Sequence, residues 1–233
     1  MNLIKKIPLA LKNIFTEPHS TIRYYLFVKL NYDKIFENKF KKKYKILNWF
    51  LNANGSDKMY PPQYHDLENL INVVRKIKPK LVLELGGGYS TIAIAYALSE
   101  NLKSFGIEGK LYSYDQSLEY LELTKKMLPN ELKKFVTLKY SKLKKGTIND
   151  IDVSLFEDLE PLNYDLVYED RYDLVNSAPI AGDILFLYKK TNNLPSIVVD
   201  GKWKTVYFLK KELNQFYNIS ISKIFKRANF IKK

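Results

Sequence analysis

A chain of 233 residues carries 38 Lys+Arg against 25 Asp+Glu, a formal net charge of +13, with no Cys and 46% hydrophobic residues. That length suits one ordinary domain plus an appendage, and its apolar content excludes a disordered chain. The absence of Cys excludes a disulfide scaffold, an iron–sulfur site and a thiolate nucleophile.

At the N-terminus, Leu3, Ile4, Ile7, Leu11, Ile14 and Phe15 fall at helical spacing. The stretch is broken by Pro8 and Lys12 and lacks a small-residue cleavage pattern, so no signal peptide is expected. Residues 33–52 repeat the pattern, with Ile35, Phe36, Phe40, Tyr44, Leu47, Phe50 and Leu51 against a Lys-rich face. These two helices are expected to pack on the domain and show Lys to water. The competing reading is basic, amphipathic attachment to an anionic membrane surface. Asn54-Gly55-Ser56-Asp57 reads as a linker. The chain therefore divides into a basic helical extension over 1–58 and a domain over 59–233.

A helix is predicted over 63–78, ended by Pro79. Strand and helix then alternate. Strands are predicted at 81–85, 110–115, 135–140, 165–168 and 196–200. Helices are predicted at 90–99, from the N-cap Ser117 to near Pro129, at 178–188 and at 203–214. Residues 101–109 are expected as a loop, and 217–232 as a terminal antiparallel pair. This order predicts an α/β fold with a mostly parallel sheet covered by helices on both faces.

The informative segment is Leu83-Glu84-Leu85-Gly86-Gly87-Gly88-Tyr89-Ser90-Thr91, between a buried strand and a helix. In open α/β sheets, ligands bind at the carboxyl ends of the strands. Glycines let the backbone approach a ligand, and N–H groups at a helix start favour an anionic group. A dinucleotide fingerprint would need Gly where Thr91 stands, and no P-loop Gly-Lys-Ser/Thr is present. That weakens an NAD-type oxidoreductase reading.

The acid two residues before the glycines, E-x-G-x-G, resembles the first motif of class I S-adenosylmethionine-dependent methyltransferases. The resemblance covers residues 63–233. It implies a Rossmann-like three-layer α/β/α sandwich with a C-terminal antiparallel hairpin, and S-adenosylmethionine as cofactor. It implies that Glu84 meets the cofactor's ammonium. The N–H groups of Gly87 to Thr91, and the Ser90 or Thr91 hydroxyl, would meet its carboxylate. Gly86, Gly87, Gly88 and Tyr89 complete the loop. An acid ending the second strand should hold the ribose. Asp115 closes that strand and is chosen over Glu108, which has the commoner spacing from Gly88. Ser141, after the third strand, falls where the adenine is contacted.

Asp170 and Asp200 end the fourth and fifth strands and, with His65, are the candidate proton acceptors. Glu169 and Arg171 are expected as solvated loop charges. The two Asp resemble metal ligands of catechol-type O-methyltransferases, but Gly201 stands where that family has Asn. No metal is assigned. The implied activity is methyl transfer to a small molecule, glycan or lipid precursor. The alternative is a non-catalytic binding protein of the same fold, docking to a membrane or RNA through its basic ends.

Charge is segregated along the chain. Residues 1–60 are net +8, 61–200 net −3 and 201–233 net +8. The middle, which holds the motif, suits a cationic cofactor, and any docking belongs to the ends. With 34 Lys and only four Arg, nucleic acid is not the expected partner. No apolar run is long enough to span a bilayer. A cytoplasmic protein is expected; the competing membrane reading would bring residues 1–55 to the inner membrane face.

Overall fold

The computed structural model describes residues 32–44, 61–171 and 180–233, together with His19, Ile22 and Met59. The expected helix at 2–15, the linker, and Leu47, Phe50 and Leu51 lie outside the described residues.

In chain order the elements are α1 (Tyr32–Lys43), α2 (Tyr64–Ile77), β1 (Leu81–Leu85), α3 (Tyr89–Phe105) and β2 (Lys110–Asp115). Next come α4 (Leu118–Met127), a 3-10 turn (Asn130–Phe135), β3 (Val136–Tyr140), β4 (Leu143–Ile148), β5 (Ile151–Phe156) and β6 (Leu166–Glu169). The chain continues with α5 (Asp183–Thr191), β7 (Ser196–Asp200), α6 (Trp203–Leu213), β8 (Tyr217–Ser222) and β9 (Arg227–Lys232).

Seven strands form one sheet in the order β3-β2-β1-β6-β7-β9-β8. β3, β2, β1, β6 and β7 run parallel, and β9 is antiparallel to both β7 and β8. The apolar runs in β1 and β7 are buried because helices cover both faces. One core cluster packs α2 and α3 residues such as Leu70, Ile71, Val74 and Ile92 against the sheet. The other packs Ile184, Leu187, Val206 and Leu209 of α5 and α6 on the opposite face. This is the expected three-layer α/β/α architecture with its C-terminal antiparallel hairpin.

α1 joins the first core. Phe40 and Tyr44 are buried, with rings 4.6 Å apart, and Phe40 meets Tyr64 at 5.6 Å. Phe40 and Tyr44 are the buried positions, Phe36 is half-buried, and Ile35, expected on the apolar face, is 53% exposed.

Several boundaries differ from expectation. α3 runs to Phe105, so the loop before β2 is only 106–109. It stops where Gly106 adopts a left-handed conformation and its N–H bonds the Leu102 carbonyl. The fourth strand is 166–169 rather than 165–168, because Asp165 turns its carboxylate to the N–H groups of Lys80 and Leu81. α5 begins at Asp183 rather than Ala178, after Gly182 packs against Val153 of β5.

Between β3 and β6 the alternation of strand and helix breaks. An antiparallel hairpin, β4–β5, stands there instead of a helix. Its turn is Asn149-Asp150, both at positive φ, the geometry that two-residue hairpins need. β5 is fastened to the segment before α5, with Ser154 N–H donating to the Ile180 carbonyl and Gly182 N–H to the Ser154 carbonyl.

Candidate functional site

β1 pairs with β2 on one side and β6 on the other, so the chain order reverses across β1. A crevice at the carboxyl ends of these strands is where an open α/β sheet binds ligands. The three glycines lie there. Gly86 N–H donates to the Tyr114 carbonyl at 2.8 Å, and Asp170 N–H donates to the Leu85 carbonyl at 3.0 Å. Gly86 has φ +101°, and a Cβ there would lie 2.6 Å from Arg171 Cα. Only glycine lets the loop pass this close to the end of β6.

Glu84 is fully buried beneath the loop. The Thr91 hydroxyl donates to its Oε2 at 2.5 Å and accepts from Gly88 N–H at 3.0 Å. Glu84 Oε1 is buried with no hydrogen-bond partner. Burial raises the carboxyl to about 7, against the pull of the Ser113, Ser90 and Thr91 hydroxyls. Thr91 thus faces inward and braces the loop. Ser90 is also buried, and Tyr89 packs against the first core.

Asp115 ends β2 beside the loop. Its Oδ2 accepts from Gly87 N–H at 3.0 Å and its Oδ1 from Ser117 N–H at 2.7 Å. Burial raises its carboxyl, and these bonds oppose the rise. The Gln116 N–H also bonds the carboxylate, which accepts about four hydrogen bonds, so one site remains. Glu108 is exposed in the loop before β2, at the opposite edge of the sheet. Ser141 N–H donates to the Asp115 carbonyl, and the Ser141 hydroxyl accepts from Asp158 N–H at 3.0 Å. Leu118 and Tyr140, next to this corner in the chain, are left 61% and 41% exposed.

The second half of the site lies at the ends of β6 and β7, which pair Glu169 with Val199. Asp170 and Asp200 therefore project from adjoining parallel strands. The Tyr168 hydroxyl donates to Asp170 Oδ2 at 3.3 Å. Both carboxyls are pushed up by burial. Lys202 and Tyr168 oppose the rise at Asp170, while Asp66 adds to it. Asp200 is pushed further, by Asp66 and Asp170 against Arg227 and Lys202.

His65 is buried. Its ring is wedged between Phe36 at 5.5 Å and Phe225 at 5.0 Å, and its Nε2 lies 3.0 Å from Asp66 Oδ2. Asp66 Oδ1 accepts from Arg227 at 2.8 Å. The sequence reading missed Asp66 and Arg227, which are 161 positions apart.

Glu169 and Arg171 are not solvated loop charges. Both are buried, 1% and 4% exposed. Arg171 Nε lies 3.3 Å from Glu169 Oε1, and its guanidinium reaches Asp183 Oδ2 at 2.5 Å and the Ser154 carbonyl at 3.2 Å. Asp183 Oδ1 accepts from Phe156 N–H at 2.8 Å. The network joins β6, the hairpin and α5. Burial raises Glu169 to about 7 although Arg171 opposes it. Among the described residues no group of three or more His, Cys, Asp or Glu side chains converges as a metal site.

These raised carboxyls set a sign for stability against pH. Glu84, Glu169 and Asp200 hold protons in the folded state at pH values where the unfolded chain has lost them. Their contribution is fully present below the unfolded carboxylate pKa and is lost as pH rises through the folded value. The ligand-free protein is expected to lose stability from about pH 5 to about pH 8. Asp200→Asn should raise the urea midpoint at the alkaline end and flatten that decline. A midpoint that is flat with pH, or lowered by Asp200→Asn, would contradict the assignment.

No family model matches the chain, and no curated protein matches its sequence. Solved structures do match. A Podospora anserina methyltransferase with S-adenosylhomocysteine bound aligns over 89% of this chain and 97% of its own, at 15% identity and a TM-score of 0.54. An O-methyltransferase from Streptomyces achromogenes, involved in tomaymycin synthesis and solved with S-adenosylmethionine, aligns over 80% of this chain and 89% of its own, at 15% identity and a TM-score of 0.50. At such identity the likeness is one of architecture: this chain has the Rossmann-like fold of S-adenosylmethionine-dependent methyltransferases.

Proposed function

We propose that the protein is an S-adenosylmethionine-dependent methyltransferase acting on a hydroxyl or amine of a small-molecule acceptor. The observation that carries this reading is Glu84 Oε1, a buried carboxylate oxygen with no partner beneath a glycine loop. A buried polar atom of this kind needs a partner, and the ammonium of the cofactor supplies one. Helix N-terminal N–H groups in α3 suit its carboxylate. Asp115 retains an acceptor site for a ribose hydroxyl. Leu118 and Tyr140, beside Ser141, offer apolar surface for the adenine.

Thr91 argues against a dinucleotide. Its hydroxyl braces the Gly88 N–H and Glu84 where a dinucleotide site places a third glycine.

The cofactor supplies a methyl group already activated by a sulfonium. The protein then aligns the acceptor for in-line displacement and removes its proton. Asp170 and Asp200 are the groups for that proton, since burial raises both towards neutral pH. His65 and Arg227 act through Asp66, holding it beside the two acids.

Calorimetry with S-adenosylhomocysteine tests the reading. Glu84→Gln is expected to weaken binding by about 1.5–3 kcal/mol, the range for a hydrogen bond to a charged group. Because the ligand binds the ionised carboxylate, wild-type affinity should fall as pH drops below about 7. The slope approaches about tenfold per pH unit. Absence of binding, or equal affinity for Glu84→Gln at every pH, would end the proposal.

A further inference from the structure

We infer that the acids at the ends of β6 and β7 are balanced by two cations of the chain itself, Lys202 and Arg227, standing in place of a divalent metal. The resemblance to catechol-type O-methyltransferases would put such a metal between Asp170 and Asp200. The donors present do not fit it. Gly201 brings no side-chain oxygen where that family has Asn, and Asp170 Oδ2 already accepts from the Tyr168 hydroxyl. Asp66, the further acid of the cluster, has one oxygen on Arg227 and the other 3.0 Å from His65 Nε2.

Donor count alone does not exclude Mg²⁺, which binds through one or two carboxylates and keeps several waters. The charges decide it. Arg227 stands directly across from Asp200 in the antiparallel β7–β9 register, so both side chains leave the same face of the sheet. Its guanidinium is fixed there, bonded to Asp66 at 2.8 Å and 5.8 Å from the centre of the Phe225 ring. Lys202 follows Asp200 by two residues, half-buried at the start of α6. Burial raises Asp170, Asp200 and Glu169, and the Lys202 charge opposes the rise at all three. A divalent ion between the two acids would face both cations across low-dielectric protein, where like charges repel most strongly.

A fixed pair of cations serves a different chemistry from a metal. It holds the two carboxyls in place and leaves their oxygens for the acceptor's proton. An acceptor then needs no two adjacent oxygens to chelate an ion, and a lone hydroxyl or amine suffices. The inference rests on the proposed reaction for what the acids do, but the exclusion of a metal by Lys202 and Arg227 stands without it.

Mn²⁺, followed by electron paramagnetic resonance on the full chain, is the probe. Chelator-treated wild type should show no Asp200-dependent binding up to about 1 mM, the weak end of divalent-ion sites. Gly201→Asn with Lys202→Gln supplies the missing oxygen and removes one cation. Asn is accepted at positive φ, and nothing lies within 4 Å of a Cβ at Gly201. That double variant should bind Mn²⁺ with a dissociation constant below about 0.1 mM, and adding Asp200→Asn should abolish the gain. Lys202→Gln alone should show part of it. Wild-type Mn²⁺ binding that Asp200→Asn removes would overturn the inference, as would variants that bind no better than wild type. Calorimetry with S-adenosylhomocysteine on the same samples separates the two failures. Wild type that does not bind this ligand ends the proposed reaction, whereas ligand binding beside Asp200-dependent Mn²⁺ binding ends this inference alone.

Discussion

Gly86→Ala is expected to lower the free energy of unfolding by about 2–6 kcal/mol and to abolish S-adenosylhomocysteine binding. Two costs combine. The residue has φ +101°, where an L side chain is strained. The new Cβ would also sit 2.6 Å from Arg171 Cα and 2.7 Å from its nitrogen, against backbone that no rotamer change moves. A domain of this size has about 5–15 kcal/mol in total, so the loss is a large share. Gly106→Ala is the control. It too has positive φ, yet nothing lies within 4 Å of the added Cβ. That change should cost only about 1 kcal/mol. Urea titrations of the two variants give the comparison. Equal effects would mean that the glycine loop does not pass against the end of β6.

Arg171→Met should cost about 3–5 kcal/mol, the range for removing one partner from a buried ion network. The guanidinium balances Glu169 and Asp183, both essentially excluded from water. Methionine keeps the packing volume over Phe156, so the effect reports charge. The pH dependence carries the sign. Without Arg171, the Glu169 carboxyl rises further above its unfolded value. The folded variant then binds more protons than the unfolded chain, and its stability falls as pH rises above the ordinary carboxylate range. The deficit should therefore be smaller at about pH 5 than at about pH 8. Adding Glu169→Gln should recover part of the loss at the alkaline end. A deficit independent of pH would place the effect in packing rather than charge. Gly86 lies against Arg171 and Asp170 follows Glu169, so this network also holds the two halves of the site together.

How far the sequence discloses this arrangement depends on the range of the interactions. β1, β2 and β7 are readable to the residue, because short apolar runs closed by Gly or Asp are local signals. The loop over Glu84 is readable for the same reason, as an acid at fixed spacing from three glycines. The hairpin at 143–156 is harder. Lys144, Lys145 and Gly146 dilute its alternation, and its clearest mark is the Asn149-Asp150 turn. Arg171 reads as a solvated charge because it stands in a polar run, Glu169-Asp170-Arg171-Tyr172. Its burial depends on Asp183 and Ser154, which come from other elements. Asp66 is likewise invisible until β9 brings Arg227 beside it. The +13 charge gains a place from the structure. On α1, Lys34 and Lys41 share Glu37 and Lys43 meets Glu68 of α2.

The most direct measurement is a crystal structure grown with S-adenosylhomocysteine. The account predicts the ligand's amino group on Glu84 Oε1, its ribose on Asp115 and its sulfur facing Asp170 and Asp200. A ligand lodged elsewhere would contradict it, for example in the groove between α3 and the 130–135 turn lined by Tyr96, Leu102 and Phe135. So would a cleft that stays empty at saturating ligand.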